Sequence, residues 1–257
     1  MNALRFLMVM ALSLVFTAAS HAVSIGINFN SHRSTTANLL PAELAGAPGF
    51  AQVNWNNTGQ GGNAQTNASG STANIISPIA GTLVDSTGAA TAATVRWTSN
   101  GTWNTSNGTA TPDAKLMNGY IDAINPGGFS TVTIGSIPYS VYDIVVYFGS
   151  DGNGRTGDVT DGTTTYSYTT FSNDPFGGGG FVPGDYVQTL DVSNGHPNSN
   201  YAVFSGVTTA TVNILRGSAN SGIHGIQIID RTPLIPEPAT IGLFGLAGAV
   251  VLLRRRR

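Results

Sequence analysis

Apolar and polar residues alternate in short runs along most of the chain. In SIGINFN, Ile25, Ile27 and Phe29 point one way, and Gly26, Asn28 and Asn30 point the other. In ATVRWTS, Val95 and Trp97 alternate with Thr94, Arg96 and Thr98. YSVYDIVVYF sets Tyr142, Ile144, Val146 and Phe148 on one face, with Asp143 marking the other as partly wet. TATVNIL and GIQIID repeat the pattern with Ala210, Val212 and Ile214, then with Ile226 and Ile228. A period of two with one polar face predicts antiparallel, half-buried strands.

Turn dipeptides separate these runs. Asp161-Gly162 predicts a hairpin, because glycine accepts positive φ, and Asn100-Gly101, Asn107-Gly108 and Asn194-Gly195 mark further turns. One helix is expected in PDAKLMNGYIDA, where Pro112 suits a first turn and Leu116, Tyr120 and Ile124 share a face. Two stretches, residues 57–74 and 172–185, show no apolar periodicity and read as long loops. The fold class is therefore all-β: an antiparallel β-sandwich, jelly-roll-like, with one short helix, over residues 23–230.

The two ends depart from this pattern. Residues 1–22 carry one early charge, Arg5, then an apolar run from Phe6 to Phe16, then TAASHA with small residues at Ser20 and Ala22. The run is too short to span a bilayer, so it reads as a secretory signal cut by signal peptidase between Ala22 and Val23. At the other end, residues 231–238 form a proline-rich linker closing on Pro236-Glu237-Pro238. A Gly/Leu/Ala-rich segment follows, and Arg254, Arg255, Arg256 and Arg257 finish the chain. As a helix, residues 239–253 cover about 22 Å against roughly 30 Å of hydrocarbon, a marginal span. The arginines would stop transfer and stay in the cytoplasm.

Pro-Glu-Pro, a small-residue transmembrane helix and a terminal arginine cluster, in that order, resemble the PEP-CTERM sorting signal of Gram-negative bacteria. The resemblance implies that an exosortase-type membrane transpeptidase recognises Pro236, Glu237 and Pro238 and processes the tail. The protein would then reside in the inner membrane transiently before reaching the cell surface or extracellular matrix. A permanent single-pass anchor is the other reading of the same residues. SIGINFN, NWNN, LMNGYIDA, YDIVVYF and GIHGIQIID also resemble ectodomains joined to such tails, whose shape is similar to galactose-binding-like jelly rolls.

Composition fits an exported life. There is no cysteine, hence no disulfide and no cysteine-based zinc site. The region between the targeting segments holds six basic and twelve acidic residues, without the clustered Lys and Arg of a nucleic-acid footprint. Enzyme signals are thin. His32, His196 and His224 are far apart, no G-x-S-x-G is present, and no pair of carboxylates stands out. In SDGNGRTGDVTDG, the oxygen ligands Asp151, Asn153, Asp158 and Asp161 suggest calcium, although an EF-hand would need Gly where Thr156 stands and Glu where Gly162 stands. The plainer reading is two turns flanking a hairpin.

Trp55 in VNWNN and Trp103 with Asn104 in GTWNTSNG sit among amides. Such a tryptophan suits stacking on a sugar ring, provided that it is exposed; otherwise it caps the core. Trp103, the one large apolar group between two turn dipeptides, is expected at an exposed loop tip. The sequence thus describes an exported, non-enzymatic, carbohydrate-binding or structural module, with a secreted carbohydrate-active enzyme as the alternative. A shallow Trp/Asn-lined surface favours the first; two carboxylates about 5–10 Å apart in a cleft favour the second.

Overall fold

A computed structural model describes residues 22–30, 37–58, 68–77, 79, 81–105, 107–122, 130–171, 181–209, 212–216 and 221–232. The signal segment up to residue 21, the Pro-Glu-Pro motif, the apolar tail and its arginines lie outside the described residues, as do residues 59–67 and 172–180 of the two expected loops. Among the described residues no helix is long and apolar enough to cross a membrane.

The strands form two sheets. In the first, the order is β12 (Tyr201–Val207), β9 (Tyr142–Gly149), β14 (Gly222–Asp230), β1 (Ser24–Asn28), β2 (Asn56–Thr58) and β4 (Ile75–Ile76). β7 (Gly119–Asp122) pairs with the start of β14 and with β6 (Gly101–Asn104). The second sheet runs β11 (Thr165–Thr169), β10 (Thr156–Thr160), β13 (Val212–Arg216), β8 (Ser130–Gly135), β5 (Thr94–Ser99) and β3 (Ala68–Ser71). Every ladder is antiparallel except β1 with β2. The architecture is an all-β sandwich, as the alternation predicts.

The inner faces carry most of the residues that the pattern marks, joined by Val132, Ile134, Val159 and Tyr168. Ile25, Ile27, Phe29, Tyr142, Ile144, Val146, Phe148, Ile226 and Ile228 come from the first sheet; Val95, Trp97, Val132, Ile134, Val159 and Tyr168 come from the second. Aromatic pairs tie the sheets together: Phe29 meets Trp97 edge-on at 5.7 Å and Phe148 stacks on Tyr168 at 3.9 Å. β5 shows the expected alternation of exposed Thr94, Arg96 and Thr98 with buried Val95, Trp97 and Ser99. The Asp161-Gly162 hairpin also forms, joining β10 to β11 with Gly162 at φ +90°.

Three expectations change. First, the central strands are buried on both faces: β9 throughout and β14 up to Ile229. The outer face of the first sheet carries a second core, in which Val145, Tyr147, Tyr201, Val203 and Ile229 lie under Leu39, Trp55, Leu116, Phe181 and Tyr186. Asp143 is therefore covered rather than wet; Gly206 donates to it at 3.0 Å and Arg231 pairs with it at 2.8 Å. Second, the helix stops early. α1 (Pro112–Leu116) is capped by Thr111 Oγ1, which accepts from Ala114 N at 3.0 Å. The chain then enters β7, because Tyr120 and Ile121 find partners on β6 and β14 that outweigh a helical face. Third, part of residues 57–74 is strand, namely the end of β2 and all of β3.

Asparagine amides complete the join between the layers. Val84 N donates to Asn56 Oδ1 and Asn56 Nδ2 donates to Val84 O, both at 2.8 Å. Asn57 makes the same two-way pair with Leu39, both bonds at 2.9 Å. Each amide replaces a missing strand partner, so these buried backbone groups stay satisfied.

Trp55 lies within the second core, 1% exposed, its indole N–H donating to Ala45 O and Gln52 O at 3.2 and 3.1 Å. Trp55→Ala is expected to cost about 3–5 kcal/mol, and Trp103→Ala, at a part-exposed strand position, less than about 2 kcal/mol. Urea melts of the two variants of the mature domain check this order; a reversed order would place the indoles the other way round.

Candidate functional site

Only Asn100 separates β5 in the second sheet from β6 in the first. This corner carries Trp103 and Asn104 to the first sheet, where they face Tyr120 and Gly119. Both are half-buried. Trp103 is thus a strand residue on the outer side of β7, not an exposed loop tip, and Trp55 is core, not a sugar platform. In VNWNN the amides of Asn56 and Asn57 bond to backbone, and Trp55 and Asn57 border a depression of about 250 Å³ together with Leu39, Leu40 and Ile76.

The Ser150–Arg155 turn meets the same end of the sheet. Tyr120 Oη and Asp151 Oδ1 lie 3.3 Å apart, and Asp151 is ion-paired with Arg155, which also donates to Ser150 Oγ at 2.8 Å. Tyr120 therefore links the Trp103 strand to the Asp151 turn. The other members of the expected calcium set are occupied elsewhere. Asp158 accepts from Ser167 Oγ at 2.7 Å across the hairpin, and Asp161 Oδ1 closes its turn by accepting from Thr163 N and Thr164 N. Asn153 is exposed in the turn. Among the described residues no three His, Asp or Glu side chains gather where they could hold a metal ion.

His224, on β14, is fully buried between Tyr120 and Gly149. Its Nδ1 lies 2.8 Å from Gly119 O. A carbonyl only accepts, so Nδ1 carries the proton and Nε2 is a bare acceptor, without a hydrogen-bond partner among the described residues. Burial lowers its pKa to about 4, opposed by the Gly119 bond. An adjoining cavity of about 10 Å³, bordered by Thr105, Asn107, Ser150, Ser199 and Asn200, has room for no more than a water molecule.

A second buried polar group joins α1 to the loops. Asp113 Oδ1 accepts from Gly46 N and from Tyr186 Oη, both at 2.9 Å. Desolvation raises its pKa, against the lowering by these two bonds. No cavity opens on it among those described.

Another concavity lies at the edge of the second sheet. A depression of about 370 Å³ is lined by Ser69, Ser71, Asn74, Arg96 and Thr98, and is bordered by Gly70 and by Trp97, which is 3% exposed. A Cβ at Gly70 would sit 2.0 Å from the Trp97 ring, so glycine there lets β3 lie directly on the indole. Sequence reasoning assigned Trp97 to the core and left Ser69, Ser71 and Asn74 in a loop. The signal was present in the Gly70–Trp97 pairing, which only register reveals.

His224 gives this end of the fold a pH dependence. Its folded pKa lies below the unfolded value, so the unfolded chain takes up the proton first and stability is lost as pH falls from about 6.5 towards 4. Between pH 7 and 5 the loss should be about 2 kcal/mol. His224→Gln should remove that slope in urea melts at the two pH values, whatever its cost at pH 7.

Ala22 and Val23, the expected signal-cleavage pair, immediately precede β1 at the other end, and Asp230 N donates to Val23 O at 2.9 Å. No curated protein matches the chain. Residues 234–257 match the PEP-CTERM protein-sorting motif, which marks an exported protein whose C-terminus is sorted at the membrane by exosortase.

Proposed function

We propose that this chain is a non-enzymatic surface or matrix module, released from its tail by exosortase, whose sandwich binds polysaccharide. The sorting motif at residues 234–257 carries the first half of this reading. The depression along β3 and β5 carries the second. It is shallow and lined by hydroxyls, an amide and one guanidinium, groups suited to sugar hydroxyls. Of the three tryptophans, Trp103 alone is more than marginally exposed.

Carboxylates in structural roles support the absence of catalysis. Asp113 anchors a loop, Asp143 and Asp151 are ion-paired, Glu43 pairs with Lys115, and Asp85, Asp161 and Asp191 accept backbone N–H groups in turns. A glycosidase needs two carboxyl groups free to face a bond.

In cells that contain exosortase, Glu237→Ala should accumulate as full-length precursor in the inner membrane, while the mature wild-type protein lacks the arginine tail by mass spectrometry. Recovery of mature wild-type protein with all four arginines would instead establish a permanent anchor. On a glycan array, the mature wild-type domain should retain polysaccharide. Arg96→Ala with Asn74→Ala should weaken that binding at least about tenfold while shifting stability by less than about 0.5 kcal/mol per site, as for exposed positions. Unaltered binding by the double variant would remove the depression as the site.

A further inference from the structure

β1 and β14 are antiparallel neighbours, with Ser24 opposite Ile229. The signal-cleavage point and the start of the tail therefore leave the sandwich side by side. The exit is tied down. Arg231 N donates to Val141 O at 2.8 Å, Arg231 Nε donates to Asp143 Oδ2 at 2.8 Å, and Ser140 N donates to Thr232 Oγ1 at 3.3 Å. The turn after Val84 belongs to the same edge, since Ser86 N donates to Ser24 O at 2.7 Å. At the opposite end, Gly149 faces Gly222, and the turn carrying Asp151 lies beyond them. Seven residues of β14 separate the two levels, roughly 23 Å.

Only residues 233–235 stand between Thr232 and the Pro-Glu-Pro motif. From Thr232 to Ala239, where the apolar segment begins, the chain spans at most about 25 Å even when fully extended. That reach is comparable with the length of the sheet it tethers.

We infer that the edge formed by Ala22–Ser24, Ser140–Asp143 and Asp230–Thr232 faces the phospholipid surface in the sorting intermediate, and that the Gly149–Arg155 end points away from it. The inference rests on the sorting reading of the tail. Orientation comes from the short tether and not from adhesion: Arg231 is already paired, and Asp85 and Asp230 give the edge an acidic character that anionic headgroups repel. Exosortase thus meets its motif in the narrow space between membrane and folded domain, beside the site that signal peptidase has already cut.

The cysteine-free chain allows single reporters. Full-length precursor would be reconstituted in phosphatidylethanolamine–phosphatidylglycerol vesicles containing a headgroup-quencher lipid, with a fluorophore on Ala89→Cys or Thr156→Cys. Both positions are exposed, the first in the turn beside Ser24 and the second just past the distal turn. Quenching at Ala89 should exceed that at Thr156 by at least about threefold, given the separation of the two levels. A long Gly/Ser spacer inserted between Thr232 and Pro233 should abolish the difference. Equal quenching without the spacer would overturn the orientation while leaving the tail in the membrane. Precursor that fails to float with the vesicles would overturn the membrane reading and the orientation together.

Discussion

β14 is hydrogen-bonded along both edges, to β9 on one side and to β1 and β7 on the other, and it is buried from Gly222 to Ile229. A strand so placed needs cover on both faces, and the rest of the molecule is arranged around that requirement. The second sheet supplies one cover. The loops before β2, the short helix and the segment around Tyr186 supply the other. Because β1 and β14 are partners, the first and last of the described strands close the fold together, and the described chain enters and leaves the sandwich at one edge.

The second cover is built from irregular backbone, which brings polar groups that water cannot reach. They are satisfied by side chains. Asn56 and Asn57 stand in for strands, Asp113 holds Gly46 and Tyr186, and Gln227 links Tyr147 to Phe50 and Gln52. Neutral amides and hydroxyls do this at lower desolvation cost than charges would. This explains why a chain with only 9% charged residues is rich in Asn, Ser and Thr. Part of that composition serves the interior, the amides of VNWNN included.

The strand faces were legible wherever one side packs inward and the other meets solvent, as in β5. The alternation in β9 was legible too, but not its double burial, since Asp143 looks like a wet position until Arg231 and Gly206 are placed beside it. The helix was overextended because Leu116, Tyr120 and Ile124 do recur at helical spacing. Pairing with β6 and β14 outweighed that local pattern, and those partners lie elsewhere in the chain.

Export and sorting could be read from the sequence because the cellular machinery reads them in the same linear form: an apolar run, a Pro-Glu-Pro, a row of arginines. The two-residue period fixed the sandwich for a similar reason, since side chains alternate across a strand whatever it pairs with. Tertiary structure decided the environment of each tryptophan, the scattering of Asp151, Asp158 and Asp161, and the burial of His224. Those properties depend on what packs against a residue from distant parts of the chain. Trp55 and Trp103 have similar Asn- and Thr-rich neighbours in sequence, yet Trp55 is sealed beneath the loops of the second core while Trp103 lies half-covered on an outer strand.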